Sequence, residues 1–526
     1  MIRKIILVIL IGFIMALSIN TALAADNTTM DTTLKSSNAD ADTGLKTFTD
    51  LSNEIKNAKP DSQVHLKGTY KYDKKTDALL KNGVWITKDI TIVGQKGCTI
   101  DGNSLARCFN VKKDCRLQLE NVKIKNGYTT ENGAGVKLYS NSKLIIKNCA
   151  FENNIAKNSN GGAIEAKKSC TIKIYSSSFK NNKATSTTKS LGDDKRGMGS
   201  VIKTSVGTTL VIKDSKFSSN EAFLSMILVV SESGKLKKTS TINIDKCTFT
   251  KNKSQHNGVV YSDEYGKCTI KNSRFSHNHS PKGAGTIVVE SSKYALIKNC
   301  EFYKNKGCNG AGVNVKIYKH NDNSNVRIIG CKFSHNTASM YGGAVCSVGG
   351  KVIIKKSEFK HNKASIFGGA VYARLGKLDV SSSKFKYNKA CYAGALCLAC
   401  KKSTVKHSSI TNNKVYYLYS SVYNIKHNKL IKCHVKANKN LKYSKIHLHK
   451  SGKYIKVKVT NYKDEPVKKR VKLVFTGSKK ITTKWYKTSK KKSIKIKIPK
   501  SLKGDCKVTM KVKNAKYFKK TINIKA

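Results

Sequence analysis

Apolar and polar positions alternate along this chain in short bursts that return at a fixed phase. Around Phe359, Val352 and Ile354 lie seven and five residues before the ring, Ser357 two before, Asn362 three after and Ala364 five after. Leu378, Val380, Ser383, Phe385, Asn388 and Ala390 repeat that order, as do Val326, Ile328, Cys331, Phe333, Asn336 and Ala338. Alternation with period two predicts strands, and no 3.6-residue apolar stripe extends over two turns in this region. Gly-Gly-Ala-Val opens another short strand at Gly368 to Val371. Each unit is therefore expected to hold about three strands separated by turns.

Phe-x-x-Asn recurs at Phe151, Phe179, Phe217, Phe249, Phe275, Phe302, Phe333, Phe359 and Phe385, with a degenerate copy at Ile410/Asn413. The steps between them are 28, 38, 32, 26, 27, 31, 26, 26 and 25 residues, so the unit is about 26 residues with insertions. Stacking one unit on the next explains why like residues keep their phase. Every strand then pairs in parallel with its copy about 4.8 Å away. Like side chains pile into Phe, Ser/Cys, Ile/Val and Asn ladders. An inward Asn satisfies turn backbone above and below it, and Gly-Gly permits a bend where a Cβ would clash. The expected fold is all-β: a right-handed parallel β-helix, followed by a small immunoglobulin-like β-sandwich.

The flanks complete the picture. Arg3 and Lys4, the apolar run Ile5 to Ile19 and the small residues of Ala22-Leu23-Ala24 read as a secretory signal peptide over 1–24. Residues 25–46 are a polar lead-in. The β-helix is expected over 47–435, with a short helix at 51–60 covering its open end. From 441 to 526 longer alternating strands, such as YIKVKVTNY, predict the sandwich.

Composition sharpens the functional question. The 526 residues carry 100 Lys+Arg against 32 Asp+Glu, a formal charge of +68. Lys147, Lys173, Lys213, Lys271, Lys298 and Lys355 occupy outward slots, and KKRVK at 468 and KTSKKKSIKIK at 487 make the tail denser still. Such a rod adsorbs to anionic polymers. Export also permits disulfides. Yet Cys149, Cys247, Cys300 and Cys331 share the slot that is Ser177, Ser215, Ser273, Ser357 and Ser383 elsewhere, which predicts packed thiols. Cys397 and Cys400 form a lone CxxC, with no metal-ligand spacing around it.

The motifs Phe151-Glu152-Asn153-Asn154 and Gly161-Gly162-Ala163-Ile164 resemble the repeat of polymorphic outer-membrane proteins. The run ITIVGQKGCTIDGNSLARCFNV (90–111) resembles methanogen adhesin-like proteins with a pectate-lyase-like β-helix. That resemblance implies a secreted or cell-surface adhesin whose partners are anionic polysaccharide or cell-wall polymers and other cells. The rival readings are a polysaccharide lyase or hydrolase and a structural wall component. Nucleic acid is not the expected partner, since no DNA- or RNA-binding motif occurs.

Candidate chemistry is sparse. Asp193-Asp194 and Asp263-Glu264 are the acidic pairs. Asp101 in TIDGN reads as a turn former and Glu165 as a solvated outward residue. His277, His335 and His361 each follow a repeat Phe by two and predict an exposed polar ladder. No catalytic, cofactor-binding or metal residue is assigned, and the chain is expected not to be an enzyme. Specificity is expected in the insertions near 185–199, 231–240 and 316–325.

Overall fold

A computed structural model describes residues 45–525, apart from 188–196, 231–238, 263–265, 293, 318–324, 401–402, 417–421, 425–428, 437–438, 441–444, 461–465, 467, 490–492 and 513–514. The signal peptide, most of the lead-in, both acidic pairs and most of the three insertions lie outside the described residues.

One coil contains four strands rather than three. In the coil around Phe151 they are Lys143–Lys147, Ala150–Glu152, Ile155–Ala156 and Ile164–Ala166. The third, two residues long, is too short to show alternation. Stacked coils turn these strands into four parallel sheets, here called first to fourth in chain order, with 14, 14, 12 and 13 strands among the described residues. Registers run like on like, as in Phe151↔Phe179 and Phe302↔Phe333.

The ladders hold the stack together. From Phe151 to Phe385 the rings are 4.6–5.1 Å apart and within 13° of parallel. From Asn182 to Asn388 each ladder Asn donates through Nδ2 to the next Asn and to a Phe carbonyl of the preceding coil. Asn305, for example, reaches Asn336 Oδ1 at 3.0 Å and Phe275 O at 2.9 Å. The Ser/Cys slot works similarly. Ser177 Oγ accepts the Cys149 N–H at 3.0 Å and donates to Tyr175 O at 2.6 Å. A thiol can perform the same two tasks, which explains the exchange of Cys for Ser. Cys149, Cys247, Cys300 and Cys331 are buried free thiols, as expected for that slot, and the other twelve cysteines are thiols as well.

The cap helix spans Phe48–Asn57, three residues earlier than expected, because Thr47 and Asp50 form a capping box. Asp77 accepts the N–H groups of Phe48 at 3.0 Å and Thr49 at 2.8 Å, seating the helix with Phe48, Leu51 and Ile55 buried against the first coils.

A Gly-Gly turn precedes the fourth-sheet strands that open at Ile164, Val345 and Val371. Gly368 has φ +67°, and a Cβ there would lie 2.3 Å from the Val371 carbonyl. Ala393 occupies the same slot one coil on, at φ 55°. Gly368→Ala is expected to lower stability by about 2 kcal/mol, the strain of a left-handed Ala plus the displaced carbonyl. Thermal or urea unfolding of the variant checks this; an unchanged midpoint would refute it.

The three longest repeat steps have a common location. Residues 188–196 join a third-sheet strand to the fourth-sheet strand Ile202–Thr204. Residues 231–238 and 318–324 join the fourth-sheet strands Ile227–Val229 and Val313–Lys316 to first-sheet strands. All three flank the fourth sheet.

The tail forms a three-stranded and a five-stranded antiparallel sheet, consistent with an immunoglobulin-like sandwich. Its core includes Ile455, Val457, Val459, Val471, Leu473, Phe475, Val508 and Met510. No helix among the described residues is long and apolar enough to cross a membrane.

Candidate polymer-binding face

The middle residue of each fourth-sheet strand points away from the core. In register, that column begins Trp85–Asn110–Lys137–Glu165–Lys203 and continues Leu228–Tyr261–Val288. Alternation alone expects these residues to be solvated, yet Asn110, Glu165, Leu228, Tyr261 and Val288 are buried. The turn before each strand folds back over it. At Gly161, φ is +69° and a Cβ would lie 2.7 Å from the Glu165 Cβ, so only glycine lets the turn pass so close.

Glu165 is therefore a correction: it is fully buried, not solvated. Lys203 Nζ lies 3.5 Å and Lys167 Nζ 3.9 Å from its Oε1. Neither carboxylate oxygen has a hydrogen-bond partner. Burying such a group is costly unless nearby cations compensate it.

Charges converge on the adjoining coil as well. Arg107, 2 % exposed, places Nη2 3.2 Å from Glu131 and donates from Nε to Gly133 O at 3.0 Å and from Nη1 to Asn82 O at 2.8 Å. Lys137 Nζ is 3.2 Å from the same Glu131 oxygen. The Lys137 bond and charge, with Arg107 beside them, hold the Glu131 carboxyl below its ordinary value. Lys137 also lies over Tyr139, 5.5 Å from the ring centroid. Tyr139 in turn packs on Trp85, with centroids 5.4 Å apart, and Trp85 is 44 % exposed. Four cations, Arg107, Lys137, Lys167 and Lys203, meet two carboxylates, Glu131 and Glu165, beside exposed Trp85 and half-buried Tyr139. Beyond Lys203 the column, Leu228–Tyr261–Val288–Asn314–Cys346, carries no charge, which confines this chemistry to the early coils.

The expected site residues fall elsewhere. Asp101 Oδ1 accepts the Asn103 N–H at 2.8 Å and Asn126 Nδ2 at 3.0 Å, a turn-forming role. Cys397 and Cys400 are buried, and burial pushes the Cys397 thiol up to about 12. No group of three or more potential metal ligands occurs among the described residues. Lys147, Lys173, Lys213, Lys298 and Lys355 are exposed and Lys271 half-buried; all six lie on the first sheet, and all but Lys173 share one register column at the ends of its strands. The sequence reading missed Trp85, Arg107, Lys137, Tyr139 and Lys203. The available signal was the equivalence of middle residues in successive fourth-sheet strands.

A family model described as the right-handed β-helix region matches residues 81–280 and 235–439. The chain belongs to that family. This right-handed β-helix protein is also 29% identical over 204 residues to the metabotropic glutamate receptor-like protein R of Dictyostelium discoideum. The match covers 39% of this chain but only 11% of that protein's length. Among solved structures, the periplasmic alginate epimerase AlgG is similar at 10% identity and a TM-score of 0.30. That likeness covers 74% of this chain and 88% of the epimerase. Neither name speaks of adhesion. The expectation that the chain is not an enzyme is not upheld: the similar solved structure is that of an epimerase. The acid that expectation took as solvated is also buried among lysines.

Proposed function

We propose that the chain is an exported protein that holds an acidic polysaccharide against the early coils of the fourth sheet. The observation that carries this is the meeting of exposed Trp85, packed on half-buried Tyr139, with a cluster that has two more cations than carboxylates. A sugar ring packs on an aromatic face, while Lys137 and Lys203 meet the polymer's carboxylates. Buried Glu165 and exposed Glu131 hold those lysines in place. The N-terminal signal supports export, and the overall charge of +68 supports an anionic partner. The fold of polysaccharide-acting proteins agrees with this reading.

Glu165 favours a second reading, chemical modification of the bound polymer, because its unbonded carboxylate oxygens lie beside Lys203 in a water-poor site. The test pairs binding with turnover. Polygalacturonate, alginate and neutral dextran are incubated with the full chain, and binding, unsaturated ends and uronate epimer ratios are measured. Binding to both uronates but not dextran, falling with salt, is expected. Trp85→Ala with Lys203→Met is expected to weaken it about tenfold. Lys173→Met with Lys298→Met, on another face, is expected to change it little. Equal losses in both double variants would sink the site; wild-type binding without either product would sink the second reading.

A further inference from the structure

The three like-placed histidines form part of a continuous file of rings on a different face. In order along the rod, His277 meets Tyr303 edge-on at 5.5 Å, and Tyr303 meets His335 edge-on at 5.7 Å. His335 stacks on His361 at 4.8 Å, and His361 on Tyr387 at 5.0 Å. His277, His335, His361 and Tyr387 lie at the turn between the second and third sheets, and Tyr303 closes the second-sheet strand just before that turn. His277, His335, His361 and Tyr387 take left-handed φ of 56°, 58°, 57° and 60°. His277 and His335 are exposed and His361 half-buried.

The neighbours are mostly cationic. Lys304 and Lys386 lie over the Tyr303 and Tyr387 rings at 5.0 and 4.9 Å. Lys360 and Lys389 face His361, and Lys306 and Lys363 begin the adjoining third-sheet strands. The acids of these strands, Glu301 and Glu358, sit at their opening residues, and Glu301 is paired with Arg274 at 3.7 Å. Burial, then the charges of His335, Lys360 and Lys389, push the His361 imidazole below the ordinary histidine value. Protonating two stacked imidazoles beside lysines is unfavourable unless an anion compensates them.

We propose that this ring file is a second, pH-gated binding strip for polyanions, separate from the fourth-sheet face and going beyond the function proposed for it. The coils place one ring every 4.8 Å or so, comparable with the advance of an extended glycan per sugar, so an acidic polymer along the strip sets one anion against each coil. As pH falls through the lowered range of His361, that imidazole gains charge and the polymer becomes its counterion. Binding and protonation favour each other by linkage.

The test uses the slot's own tolerance. Asn153 and Asn181 occupy the same position at φ 56° and 55°, so His277→Asn, His335→Asn and His361→Asn together suit the backbone. Binding of dextran sulfate, whose charge does not titrate, and of polygalacturonate is measured at constant ionic strength near pH 7.5 and near pH 5. The wild type is expected to tighten about tenfold at the lower pH, the combined effect of a few additional exposed charges. The triple Asn variant is expected to lose that increment and keep its affinity at the higher pH. Trp85→Ala with Lys203→Met is expected to do the reverse, so failure of one face is distinguishable from failure of the other. A wild type without the increment, or a triple variant that keeps it, overturns the proposal.

Discussion

Replacing Asn305 by leucine is expected to destabilise the solenoid by about 4–6 kcal/mol, because one side chain serves four bonds in a dry interior. Its Oδ1 accepts both the Asn278 N–H and the Asn278 Nδ2, each at 3.0 Å. Its Nδ2 donates to Phe275 O and to Asn336 Oδ1. Leucine fills a similar volume but leaves an N–H, an amide and a carbonyl without partners. Each orphan costs about 1–3 kcal/mol, more than added apolar burial at an already buried position returns. Urea unfolding gives the magnitude, and faster hydrogen exchange across residues 275–340 gives the location. A loss under about 1 kcal/mol would show that water or backbone rearrangement replaces the ladder.

Phe302→Ala is expected to cost about 3–5 kcal/mol. The ring is fully buried between Phe275 at 5.1 Å and Phe333 at 4.6 Å, so alanine opens a cavity between two rings fixed by their own coils. The backbone registers on either side prevent the stack from closing over it. Phe302→Leu should recover much of the loss, since Ile410 continues the same register with an aliphatic side chain. If alanine and leucine unfold at the same denaturant concentration, volume is not what the slot requires.

These two residues also show what could be read from the chain beforehand. Phe302 and Asn305 were legible because repetition at fixed phase exposes any position whose environment repeats. The same logic explained Cys300 and Cys331 as substitutes for serine. Glu165 was not legible, because alternation assigns it to an outer face without revealing that a glycine turn closes over that face. Arg107 and Trp85 belong to early coils whose sequence departs from the Phe-x-x-Asn pattern, so no ladder pointed to them. Their partners, Glu131 and Tyr139, come from a neighbouring coil. Side chains brought together across coils, rather than spaced along one, make up the candidate site.

The placement of the long connections has an evolutionary consequence. The turns that enclose the Ser/Cys slot and the inward Asn are locked by bonds to the coils above and below, so an added residue there would put every later rung out of step. The turns beside the fourth sheet bear no such obligation, and the 38-residue step falls there. A lineage can therefore rewrite the border of the fourth sheet by insertion while inheriting the rod unchanged. Novelty and heritable stability occupy different sides of the same coil.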